Sequence, residues 1–309
     1  MQINPPYGFK EIVPLSKNHR VLLPRGRTLP APFRAMNPMP ASYSEFPTAS
    51  RDYPIIFVSG DAGQTYTAML VLGVEARQNL FVSQDHTWDT GVYLPAYVRR
   101  YPFCMTRMMV DGKESHERLA CVEKLAINDK GDPLFDEHGE PLPEWGQRQK
   151  LLFDYENDLA RTEEMCKLLA QHQLIEPFVM QMAPNKGQSM QLTGMYRVSE
   201  SKLLALPAEV LRQFAQGGVL GRVYAHLLSL ENFNRLAARH AQRGQTAPAP
   251  RTSAVRTGKM TVRPEQRAIE RRKADAEAAA RQRKAAGLPD RRAGGRRGPA
   301  ARATPKKDG

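Results

Sequence analysis

His86 stands in the run Asp85-His86-Thr87-Trp88-Asp89, and an imidazole beside carboxylates can serve as a general base or a metal ligand. Arg99 and Arg100 follow shortly after; adjacent guanidiniums at a helix end suit bidentate capture of a phosphate or carboxylate. Asp85, His86, Asp89, Arg99 and Arg100 are therefore the candidate ligand-binding residues. No nucleophile or second histidine sits at a diagnostic spacing from His86, so a polar loop between strand and helix is the favoured reading of the first three. For the arginines, the competing reading is a partner carboxylate with the stem packed on Tyr97 or Tyr101.

A second constellation, His138-Gly139-Glu140 with His172 as a distant third ligand, has the HxE form of an iron facial triad. It falls in a Gly- and Pro-rich turn, and short motifs match by chance, so no metal or cofactor is assigned. His226 lies on the apolar side of a helical stretch beside Tyr224 and Leu227, where a satisfied core histidine is expected. Cys104, Cys121 and Cys166 are odd in number, dispersed and outside any CxxC pattern. They indicate neither a disulfide framework nor a zinc site, and a reducing compartment is the simplest reading. The dinucleotide and P-loop glycine fingerprints, HExxH and GxSxG do not occur in the sequence.

The elements that must position these residues are legible in outline. Nine prolines before Tyr53 interrupt every periodicity in that stretch, which predicts an extended segment with short strands laid on the core. Strands are expected at 55–58, 66–73, 79–82, 103–110, 119–127 and 190–198, mostly joined by short turn-prone connections, which favours an antiparallel sheet. Apolar residues recur at three- and four-residue steps over 143–173 and again over 219–236, so two long amphipathic helices are expected. Ser199 and Pro207 mark the starts of shorter helices, and Gly217-Gly218 marks a break. The fold class is α+β.

The net charge of +13 is unevenly shared: 18 of the 45 Lys+Arg and 6 of the 32 Asp+Glu lie in residues 244–309, leaving 27 and 26 for residues 1–243. A domain of residues 1–243 is therefore nearly neutral, and residues 244–309 form a basic low-complexity tail expected to be disordered. Within it, 264–286 has a helix-compatible composition without an apolar stripe. Such a tail suits electrostatic attachment to a polyanion, nonspecific nucleic acid included, to an acidic protein partner or to a membrane surface; without aromatics it does not suit base stacking. No apolar run approaches the length of a membrane span, and the amino terminus lacks a signal-peptide core, so a cytoplasmic location is expected.

The runs EFPTASRDYPIIFV (45–58), NLFV with YLPAYVRRYPF (79–103), LFDEHGEP (134–141), YRVSESKLLALP (196–207) and YAHLLSLENFNRL (224–236) resemble the SapC family of bacterial proteins, in the family's order and over residues 1–243. The resemblance implies no established activity. Its name derives from a surface-layer-linked protein, which makes surface-layer association, by a leaderless route, one alternative. The expected function is a non-enzymatic binding or accessory factor with a partner-binding basic tail. An enzyme or enzyme helper using the 85–100 region is the other alternative.

Overall fold

Proline-bounded segments of two to four residues open the chain, and longer elements follow. The structure, a computed structural model, describes residues 5–61, 63–110, 113–182 and 190–246. The chain divides into two units, Met1–Pro248 and Ala249–Gly309, and the described residues lie in the first. The tail stretches 264–286 and 287–309 fall outside the described residues.

In chain order the elements are β1 (Ile12–Pro14), β2 (Arg20–Val21), β3 (Met39–Pro40), α1 (Phe46–Ala49), β4 (Ile55–Val58), β5 (Thr67–Leu70), α2 (Ala96–Arg99), β6 (Phe103–Val110), β7 (Lys113–Glu123), β8 (Asp132–Pro133), α3 (Pro143–Gln171), β9 (Ile175–Met182), β10 (Met190–Val198), α4 (Glu200–Leu204), α5 (Ala208–Gln216), α6 (Val219–Ser229) and α7 (Asn232–Thr246). Among the described residues the strands form three sheets, with orders β1-β7-β6, β3-β5-β4-β10-β9 and β2-β8. Their pairings are antiparallel. With helices packed on these sheets the class is α+β, as the periodicities predict.

α3 buries Leu152, Tyr155, Thr162, Met165, Cys166 and Leu169 along one face, the stripe that its spacing foretells. Its first turns meet a smaller cluster, in which Trp145 lies 5.0 Å from Phe103 between ring centroids. The main cluster holds Phe33, Tyr53, Phe57 and Trp88. The expectation of two long helices holds for α3, with 29 residues, but not for 219–236, which is broken into α6 and α7. Asn232 turns its side-chain amide to the carbonyls of Ser50, at 2.7 Å, and Tyr53, at 3.3 Å, and just before it the backbone tightens, with Leu230 and Glu231 N–H bonded to the carbonyls of Leu227 and Leu228. At the other end of α6, Gly218 takes φ +73°, a left-handed conformation that glycine adopts without steric cost. Among the described residues no helix is long and apolar enough to cross a membrane.

β4 and β10 share a single register pair, Tyr196 with Phe57, so other groups must satisfy the backbone beside it. α6 supplies them. His226, fully buried, meets the Ile55 carbonyl through Nδ1 at 2.8 Å, and its Nε2 accepts the Val198 N–H at 3.1 Å. The Ser229 hydroxyl accepts the Ile55 N–H at 2.9 Å and donates to the His226 carbonyl at 2.6 Å. Protonating Nε2 would break the bond to Val198, and burial lowers the His226 pKa from 6.5 to about 4.

The unfolded chain thus takes up a proton at His226 that the folded chain refuses between those two values. Stability is expected to be full above pH 6.5 and to fall as the pH drops from 6.5 towards 4, by up to about 1.4 kcal/mol per pH unit. Urea unfolding across this range, wild type against His226→Gln, measures it; an equal slope in both proteins would refute the assignment.

Candidate functional site

Residues 82–88 form a tight hairpin. Val82 bridges to Trp88, the Ser83 N–H donates to the Thr87 carbonyl at 2.9 Å, and the His86 N–H donates to the Ser83 carbonyl at 3.2 Å. His86 closes the turn with φ +64°, the left-handed residue that a type I turn followed by a bulge demands. Its carbonyl accepts the Leu29 N–H at 2.9 Å. His86 is thus placed by its backbone, with Nδ1 buried and without a hydrogen-bond partner. Asp85 accepts from the hydroxyls of Ser83 and Thr87, and these bonds lower its pKa. Predicted as a strand, 79–82 is instead irregular: the Asn79 side chain accepts the Phe81 N–H at 2.9 Å and donates to the Phe33 carbonyl at 3.0 Å.

Trp88 is the anchor beneath this hairpin. It is wholly buried, and its indole N–H donates to the Tyr53 hydroxyl at 3.1 Å. Tyr53 in turn donates to the Tyr93 carbonyl. The Tyr93 N–H donates to Asp52 at 2.8 Å, so the hairpin, the turn after α1 and the approach to α2 are joined by a short polar chain inside an aromatic cluster.

Two carboxylates define what lies on either side. Asp89 accepts the Gly91 N–H at 2.9 Å and pairs with Arg239 of α7 at 2.8 Å; the Gly91 bond first, and Arg239 behind it, hold its pKa below the ordinary value. Glu45 is buried, and its Oε1 accepts the Tyr93 hydroxyl at 2.9 Å and the Ala96 N–H at 2.5 Å. Its Oε2 accepts from the N–H and hydroxyl of Ser42 at 3.2 and 2.5 Å. Glu45 therefore caps α2 from outside the helix.

Arg99, the last residue of α2, and Arg100, which follows it, go to different partners. Arg99 is exposed and donates to the Tyr93 hydroxyl at 2.9 Å. Arg100 is buried, with its guanidinium 4.2, 4.9 and 5.5 Å from the ring centroids of Tyr97, Tyr155 and Phe9. Glu156 lies 3.9 Å from it and also pairs with Arg118. The two guanidiniums do not converge on a common point.

A surface cleft of about 440 Å³ opens between the hairpin and α7, lined by Leu80, Phe81, Asp85, Asp89, Arg239 and Arg243 among others. Arg239 stacks over Phe81 at 4.5 Å. One turn on, Arg243 donates to the carbonyls of Asn79 and Val82. Of the five residues that the sequence singles out, Asp85 and Asp89 line this cleft, and His86, Arg99 and Arg100 are placed elsewhere. Sequence reasoning leaves out Arg239, Arg243 and Glu45. The one available signal was the i, i+4 spacing of the two arginines.

The other candidate histidines are apart from this cleft. His138 belongs to the turn organised by Asp136, whose Oδ1 accepts the His138 N–H at 2.9 Å. His172 lies edge-on to Phe214 at 5.5 Å. Among the described residues no three His, Cys, Asp or Glu side chains are grouped to hold a metal ion.

A hairpin pinned on buried aromatics, a carboxylate-capped short helix and the strands and helices around them span most of the stretch that the SapC family profile matches, residues 16–236. The chain belongs to the SapC family. Neither a curated protein nor a solved structure is significantly similar to it.

Two sets of substitutions separate scaffold from ligand roles. Arg100→Ala is expected to cost about 2 kcal/mol in urea unfolding through lost packing and cation–π contact, and Arg99→Ala less than about 0.5 kcal/mol. At the bulge, His86→Gly should leave stability within about 0.5 kcal/mol of wild type, whereas His86→Val, which resists positive φ, should lose about 1 kcal/mol or more. An equal loss in both His86 variants would mean that the ring, not the backbone, fixes this residue.

Proposed function

We propose that this SapC-family protein is a non-enzymatic binding or accessory factor, with residues 244–309 attaching it to a polyanion or an acidic partner. One observation carries the reading: the three cysteine thiols and His226 are held inside the fold, and the groups presented at the cleft are fit for binding. Burial pushes the thiols of Cys104 and Cys166 up to about 12 and that of Cys121 to about 11, so thiolate is scarce at neutral pH. His226 spends both ring nitrogens on backbone groups. The cleft instead presents the charged groups of Asp85, Asp89 and Arg239, which suit a small polar ligand or a partner's side chains.

The basic tail supplies the second contact. Its 18 Lys+Arg against 6 Asp+Glu favour phosphate-rich or acidic surfaces, and such attachment weakens steeply with salt because counterions are released on binding. The reading carries a cytoplasmic location. Recovery of the native protein at the cell surface on fractionation would replace it with surface-layer association.

The full chain is expected to be retained on duplex DNA or heparin in a salt-dependent way, and a chain ending at Arg243 to lose that retention. Equal binding of both at moderate salt would sink the tail reading. For the cleft, a thermal shift produced by a carboxylate- or phosphate-bearing ligand should be lost in Arg239→Ala; a shift that persists places the ligand elsewhere.

A further inference from the structure

β6 and β7 set two thiols face to face. Their register puts Cys104 directly opposite Cys121. The Glu123 N–H donates to the Pro102 carbonyl at 2.9 Å, and the Leu15 N–H of the segment after β1 donates to the Ala120 carbonyl at 2.9 Å. Backbone groups alternate in direction along an antiparallel strand, so Ala120 faces the β1 side while Cys121 and Glu123 face β6. Cys104 and Cys121 are then a hydrogen-bonded pair, with Cα atoms about 5.5 Å apart and both side chains on one face. That Cα spacing lies within the range disulfides bridge, while the Cβ atoms of such a pair, up to about 5.5 Å apart, must close to about 4 Å as the ladder opens.

Both cysteines are free, fully buried and part of the main core. Cys166 is free and buried as well, but it sits on α3, near Ala68 of β5, outside this ladder. We propose that Cys104 and Cys121 are a modification site, closing a cross-strand disulfide when the chain meets a small disulfide oxidant such as oxidised glutathione. The first thiol, as thiolate, attacks one sulfur of the oxidant, giving a mixed disulfide and releasing one reduced glutathione. The second thiolate attacks the protein sulfur of that mixed bond, forming the Cys104–Cys121 bridge and releasing a second. The two cysteines lose two protons and two electrons, and the oxidant is reduced to two thiols. Complete burial confines the first attack to moments when the β6–β7 ladder opens, so the bridge forms slowly in the folded protein and faster as its opening is promoted.

The test incubates the reduced full-length protein with oxidised glutathione a few degrees below its unfolding midpoint, followed by alkylation, digestion and non-reducing mass spectrometry. A cross-linked species joining the Cys104 and Cys121 peptides, two hydrogens lighter than their sum, is expected, with Cys166 alkylated. Cys166→Ser should give the same bridge and Cys104→Ser none. Three alkylated thiols, lasting glutathione adducts at Cys104 or Cys121, or a bridge to Cys166 would each overturn the proposal. The wild-type peptide map decides by itself, so a variant that fails to fold leaves the outcome intact.

Discussion

A buried acid needs donors aimed at its oxygens, and Glu45 has four from three residues. Two come from its own turn at Ser42, and two from beyond the hairpin, at Tyr93 and Ala96. This reciprocal demand fixes the turn before α1 against the first turn of α2. The start of α2 is thereby set at Ala96, within a helix of only one turn. The Tyr93 hydroxyl stands between Glu45 and Arg99, so the exposed arginine is oriented by a buried acid through a phenol.

The same economy governs the junction of sheet and helix. β4 and β10 meet too briefly to satisfy their own backbones, and His226 and Ser229 complete them from α6. A histidine here is a connector because it can donate with one nitrogen and accept with the other while uncharged, which a lysine, a donor only, cannot reproduce. The 4.9 Å edge contact between the His226 and Phe57 rings closes the same joint from its apolar side.

Much of the fold was legible in sequence where periodicity alone decides. β4, β6, β10 and α3 fall close to their expected spans, because each is marked by an apolar pattern within its own sequence. β9 was not anticipated: Glu176, Pro177 and Gln181 dilute its apolar pattern, and its strand character comes from pairing with β10. β7 starts earlier than expected for a similar reason, extended by its ladder with β6. The cleft was half legible. Asp85 and Asp89 stand beside Trp88 in the chain, but Arg239 pairs with Asp89 across 150 residues of sequence, and Arg243 reaches the Asn79 and Val82 carbonyls from the same distant helix. No local pattern encodes such a contact.

The order β3-β5-β4-β10-β9 leaves β3 and β9 as the borders of the largest sheet. β3 is two residues long and ends in Pro40, and β9 carries Pro177 near its start. Brevity on one border and a residue without an N–H on the other deprive a neighbouring molecule of a full ladder to dock on. The sheet is therefore poorly suited to serve as a template for strand-by-strand growth between copies, and the protein can hold a wide antiparallel surface at high local concentration with little tendency to polymerise through it.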